Sequence, residues 1–130
     1  MEISSSLLSW FDLEKRDLSF RKNRNPYRIW VSEIMLQQTK VETVIPYYQK
    51  WIKSYPNIVS VYEASESSLL KSWEGLGYYS RCRNFHKAAK IVCEKYDAKI
   101  PDSWDKFRSL PGVGDYTAGA VLSIAFKKPF

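Results

Sequence analysis

Leu110-Pro111-Gly112-Val113-Gly114-Asp115-Tyr116-Thr117 runs straight into residues 118–126, an apolar stretch rich in small side chains. Two glycines within three residues belong in neither a helix nor a strand interior. They suit a tight turn whose backbone comes close to something large. The stretch after the turn reads as a buried helix, and residues 103–109 before it as a second helix. Together they predict a helix, a glycine hairpin and a helix. Backbone amides of the turn and of the second helix's first turn then point outward as an anion site. Such a module grips a DNA phosphate without reading sequence. On spacing alone, an ordinary helix–turn–helix connection with a glycine cap reads the same way.

The 130 residues amount to one domain by length, enough to bury roughly two thirds of the unfolded surface. Nine Tyr, six Phe and five Trp supply core material. Twenty Lys and Arg against fourteen Asp and Glu give a net charge of +6, which favours an anionic partner such as nucleic acid. The basic residues gather at 15–28 and 71–90, among aromatics. Solvated helix faces would give the same clusters. Met1-Glu2-Ile3-Ser4 has neither a basic start nor an apolar core, so no export signal is expected. The apolar run near 118–126 falls far short of the ~20 residues of a membrane span. Cys82 and Cys93 fall in one predicted helix, about 16 Å apart along its axis, too far for a disulfide. Free thiols in a reducing compartment are expected. Without a histidine cluster, two cysteines cannot make a four-ligand metal site.

The periodicity is helical nearly throughout, and the predicted class is all-α. Residues 4–15 are predicted to form one helix with Leu7, Leu8, Trp10 and Phe11 on one side, and 16–25 a basic connection. Pro26 opens a second helix at its first position, with Tyr27, Trp30, Val31 and Ile34 as its apolar stripe. Val41, Val44, Ile45, Tyr48, Ile52 and Tyr55 mark a longer helix stopped by Pro56-Asn57. Residues 65–73 read as a short helix closed by Gly75, and 80–96 as another. No alternating segment is long enough for a strand.

Glu33 is the acid that stands out. Trp30 lies three residues before it and Gln37 four after, on one helix face. This puts it at the edge of the apolar stripe. A carboxyl group partly desolvated by tryptophan holds its proton to higher pH and can act as an acid near neutrality. A solvated helix glutamate fits the same spacing. His86, among Arg83, Asn84 and Lys87, reads as a surface or phosphate-proximal residue and not as a catalytic one. Gly75-Leu76-Gly77-Tyr78-Tyr79-Ser80-Arg81 is a second glycine turn. A tyrosine presented beside Arg81 could wedge between bases while the arginine meets a phosphate; a helix cap with two core tyrosines is the plainer alternative. Gln37-Gln38-Thr39 offers side chains able to bond base edges.

Residues 30–39, Trp-Val-Ser-Glu-Ile-Met-Leu-Gln-Gln-Thr, then Val41-Glu42-Thr43-Val44-Ile45-Pro46-Tyr47-Tyr48, closely resemble the catalytic-helix region of MutY-type adenine DNA glycosylases. Residues 73–81 and 110–126 match that family in the same order, and the resemblance runs from Arg16 onward. It implies the helix-hairpin-helix glycosylase fold: a six-helix barrel domain over 26–130, preceded by an N-terminal helix and basic connection over 1–25. It implies base excision repair, with adenine removed opposite 8-oxoguanine or guanine by hydrolysis of its N-glycosidic bond. Glu33 matches the glutamate that protonates the departing adenine. Gln38 and Tyr78 match residues that intrude into the base stack, flanked by Thr39 and Arg81 on the DNA-binding face. Gly112, Val113 and Gly114 match the phosphate-binding hairpin, while Arg16, Phe20, Arg21 and Leu36 correspond to the pocket for the flipped base. Tyr116 stands where lyase relatives carry a Schiff-base lysine. A phenol forms no imine, so an auxiliary role in a glycosylase without strand cleavage is implied.

Leu18-Ser19-Phe20 replaces the family's Leu-Pro-Trp, which alters the expected pocket. The family's sugar-facing aspartate, its four-cysteine [4Fe-4S] loop and its 8-oxoguanine-reading domain have no counterpart in these residues. No cofactor bound by this chain is therefore expected, and reduced activity of the 130 residues alone is. The implied partner is duplex DNA carrying an A:8-oxoguanine or A:G mispair, bound by a monomer in the cytoplasm or, in a eukaryote, the nucleus. Two alternatives remain open: a mismatch thymine glycosylase, and a DNA-binding module without chemistry.

Overall fold

The computed structural model describes residues 25–127, which form seven helices and no strand. The expected helix over 4–15 and the connection after it lie outside the described residues. α1 (Pro26–Leu36) begins where the sequence places it: Asn25 Oδ1 accepts from the Tyr27 and Arg28 amides at 2.9 and 3.2 Å, and Pro26 needs no donor partner there. Tyr27, Ile29, Trp30, Val31, Ile34 and Met35 are all buried, so α1 is covered around its whole circumference. It is the central helix, wider in its burial than the single stripe expected from the periodicity.

α2 (Val41–Ser54), α4 (Glu66–Trp73) and α5 (Ser80–Lys95) fall within a residue or so of the expected spans. α3 (Ile58–Glu63) is a helix the sequence pattern did not announce. Six residues are too few to show a period, and its start signal is an Asn57/Ser60 capping box instead of the usual Ser-to-Glu form. α6 (Trp104–Arg108) and α7 (Asp115–Phe126) complete the chain, with the glycine hairpin between them.

α7 packs along α1, and α2 also contacts α1. Buried Ala118, Gly119 and Ala120 let α7 come close, which accounts for its small-residue composition. α5 receives α3 and α4 on its other side. Trp30 sits at the junction, edge-on to Phe85 of α5 and Phe107 of α6, each with centroids 4.9 Å away. The Tyr27 hydroxyl donates to the Tyr55 carbonyl and accepts from Trp51 Nε1, joining α1 to α2 with no buried donor wasted. The outcome is a closely packed α1–α7 pair with the hairpin at one end.

Candidate nucleic-acid interface and acid site

The hairpin takes its shape from Gly112. Its φ of +78° lies in the left-handed region, and a Cβ there would come within 2.8 Å of Asn84 Cβ on α5. Gly112 is thus required by the fold itself. Gly114 is not: its backbone is extended (φ −98°, ψ −177°) and a Cβ would meet nothing within 4 Å. It is the N-cap of α7, and no side chain caps that end. The first-turn amides of a twelve-residue helix therefore face an open side of the molecule, a favourable place for an anion.

Val113 is anchored in the core with 4% exposure, and its amide donates to the Leu110 carbonyl at 3.1 Å. Among Gly112, Val113 and Gly114, Val113 thus has its amide engaged within the turn. Arg108 braces the turn from below: Nη1 donates to the Val113 carbonyl at 2.9 Å, and Nε to Asp115 Oδ1 at 2.7 Å. Nothing in the sequence spacing distinguishes Arg108 from its basic neighbours.

Glu33 lies deeper than the stripe-edge position expected for it. It is 2% exposed, with Oε2 out of reach of solvent. On the same face one turn later, Gln37 Nε2 donates to Thr117 Oγ1 at 2.8 Å. This bond ties the end of α1 to the first turn of α7, next to half-exposed Tyr116 (40%). Thr117 was not among the expected site residues, and Gln37, offered by the sequence as a contact to base edges, bonds within the protein instead. Leu36 is half-buried, while Arg16, Phe20 and Arg21 lie outside the described residues. A cavity of about 150 Å³ opens where Trp30, Ile34, Gln37, Arg81, Asn84 and Gly112 converge.

The two expected wedges share an uncommon backbone. Gln38 has φ 60° and Tyr78 φ 49°, both left-handed and neither a glycine. Each such residue costs about 1–2 kcal/mol and, when held, points to a functional constraint. Tyr78 is 61% exposed, and Tyr79 and Tyr116 are its fellow exposed aromatics among the described residues. All three stand at the two glycine turns, where stacking surface for bases would be needed. Arg81, expected to meet DNA, is instead turned inward toward carbonyl oxygens of α1 and of the Tyr78 turn.

His86 also departs from expectation. It is buried at 5% exposure between α5 and α3, hydrogen-bonded to the backbone of Ala64. Burial, then the Lys90 charge, lowers its pKa, so it is a neutral core group and no phosphate ligand. Burial pushes the Cys82 thiol up to about 12 and raises that of Cys93 as well; both are free. An iron–sulfur cluster takes four thiolates. This sequence has two cysteines, both on α5, and they do not fit that group. Among the described residues no helix is long and apolar enough to cross a membrane.

With this geometry in place, residues 31–128 match the HhH-GPD superfamily of base excision DNA repair proteins. The chain belongs to that superfamily. It is 47% identical over 122 residues to an adenine DNA glycosylase of Buchnera aphidicola subsp. Baizongia pistaciae, covering 93% of this chain and 35% of the relative. The adenine DNA glycosylase of Rattus norvegicus is 46% identical over 130 residues, covering 93% of this chain and 25% of the relative. The chain thus spans about a quarter to a third of the length of these relatives. Among solved structures it is similar to a thermostable thymine-DNA glycosylase (TM-score 0.77, 30% identity, 97% of this chain and 58% of the other). A trapped endonuclease III–DNA intermediate shares the HhH-GPD fold at TM-score 0.76 and 21% identity, covering 99% and 62%.

Proposed function

We propose that this chain carries the acid and the DNA grip of an adenine DNA glycosylase that acts on adenine opposite 8-oxoguanine or guanine. The observation that carries the reading is Glu33, a carboxyl group 2% exposed on the central helix. A carboxyl group held on a buried helix face can be aimed at a leaving base, as general acid catalysis requires. Adenine stacked in a duplex must first be extruded. When the bond from C1′ to adenine breaks, its electron pair leaves with the base. Glu33 gives up its proton to that base, so it departs neutral. Water adds to the sugar cation, and the proton it releases restores Glu33. General acid catalysis of this kind contributes about 10²–10⁴-fold.

The DNA grip is proposed to comprise the α7 amides behind Gly114, with Gln38, Thr39 and Tyr78 entering at the mispair. Identity of 46–47% to adenine DNA glycosylases supports adenine as the base; the 30% likeness to a thymine-DNA glycosylase supports the runner-up, thymine opposite guanine. Neither reading needs a cofactor held by these residues. The test measures base release from A:8-oxoguanine, A:G and T:G duplexes. It uses the 130-residue chain and a fusion in which this chain replaces the matching segment of the Buchnera relative. Adenine release by the fusion that drops about 10²-fold or more in Glu33→Gln supports the proposal. Release preferring T:G, or an unimpaired Glu33→Gln, overturns it.

A further inference from the structure

Arg81 makes more hydrogen bonds than its place on the first turn of α5 requires. Nη1 lies 2.8, 3.2 and 2.5 Å from the carbonyl oxygens of Ile34, Met35 and Gln37, the last acceptors of α1 and its C-cap. α1 has no basic residue in its own last turn, so Arg81 supplies the charge that its open carbonyls attract. Nη2 donates to the Gly77 carbonyl at 3.2 Å and lies 3.4 Å from that of Leu76 and 3.5 Å from Thr39 Oγ1. Nε donates to the Tyr78 carbonyl at 3.4 Å. The guanidinium also lies 5.3 Å from the Trp73 ring centroid and 5.5 Å from that of Tyr78. All three of its nitrogens are thus directed at protein acceptors, on the turns that present Gln38 and Tyr78.

We infer that Arg81 is a positioning residue that locks the Gln38 turn and the Tyr78 turn into one rigid unit, so that both side chains meet the base stack together. It acts through these carbonyls and not through a phosphate. Both turns hold a non-glycine residue at positive φ, a conformation that persists only where its surroundings over-determine it. One planar fork reaching both turns supplies that constraint, and an ammonium on a flexible stem cannot copy it. The inference rests on the proposed binding of mispaired DNA by this face.

The test uses a duplex with 2-aminopurine beside an A:8-oxoguanine mispair and a matched control. The unaltered chain should raise the fluorescence at the mispair above the control; if it does not, the DNA reading itself fails, separately from Arg81. Arg81→Lys should remove that difference about tenfold or more, in line with the sensitivity of positioned groups to small displacements. Affinity for the matched duplex and its salt slope should stay within about twofold. In a Gln38→Ala, Tyr78→Ala background, Arg81→Lys should add nothing. A salt slope reduced by about one, a retained mispair signal, or a full further loss in that background overturns the inference. Should Arg81→Lys not fold, side-chain hydrogen exchange in the unaltered chain decides. Protection of the Arg81 Nε proton without DNA supports the lock; protection that arises only on adding duplex overturns it.

Discussion

Gly114→Asp should make the protein more stable and worse at holding DNA. Gly114 already has the extended backbone of an N-cap, with open space where a side chain would go. An aspartate there can accept from the α7 amides, a gain of a few tenths of a kcal/mol over glycine. Its charge at the helix start adds about 0.3–1 kcal/mol. Asp115 next door already carries a charge, paired with Arg108 at 2.7 Å, which trims the gain. We expect about 0.5 kcal/mol in all, a rise of roughly 2 °C in Tm for a chain of this size. The same carboxylate would sit where the phosphate is proposed to dock. Two like charges about 4 Å apart repel by about 1 kcal/mol in water and about 4 kcal/mol at a protein surface. A middle value near 2 kcal/mol corresponds to about 30-fold weaker binding, and losing one phosphate contact lowers the salt slope by about 0.9. Fluorescence anisotropy against a matched duplex over a salt series reads both quantities, and thermal melting reads the first. Gly114→Asn, equal in size and neutral, separates bulk from charge and should bind better than the aspartate variant. A Gly114→Asp protein that melts higher yet binds duplex with unchanged affinity and slope would refute the placement of DNA at the hairpin.

Three further outcomes follow from the same structure. Phe107 is fully buried against Trp30 and is the buried residue of α6, so Phe107→Ala should lower the urea-unfolding free energy by about 3–5 kcal/mol; a loss below about 1 kcal/mol would show that α6 is not held by this contact. His86 has a lowered pKa when folded. The unfolded chain then binds its proton first, and the contribution of His86 is complete above about pH 6.5 and declines as pH falls below that. Melting from pH 7.5 to 5.5 should show a steeper loss for the unaltered protein than for His86→Asn, and parallel curves would contradict the assignment. Tyr116 offers no amine, so borohydride should trap no covalent adduct with nicked or abasic DNA; an adduct would reveal imine chemistry from another residue.

What the sequence made legible follows from the range of each interaction. α1 could be placed to the residue because its start is written locally, in Asn25 and Pro26, and its register in apolar spacing. The hairpin was legible because Gly112 answers a local demand for positive φ. Glu33 could be singled out, but its depth of burial could not. A period on one helix shows which face is apolar, not that α7 and α2 close over α1 from other directions. His86 failed for the same reason in reverse: basic neighbours along the chain suggested a surface, while its partner Ala64 caps the end of α3. Arg81 is the sharpest case. Its neighbours in sequence, an exposed tyrosine and a glycine turn, point toward DNA, and only the folded chain brings the end of α1 beneath its guanidinium. A cation beside a wedge can hold the nucleic acid or hold the wedge. Sequence spacing does not separate the two, because the acceptors that decide it lie more than forty residues away.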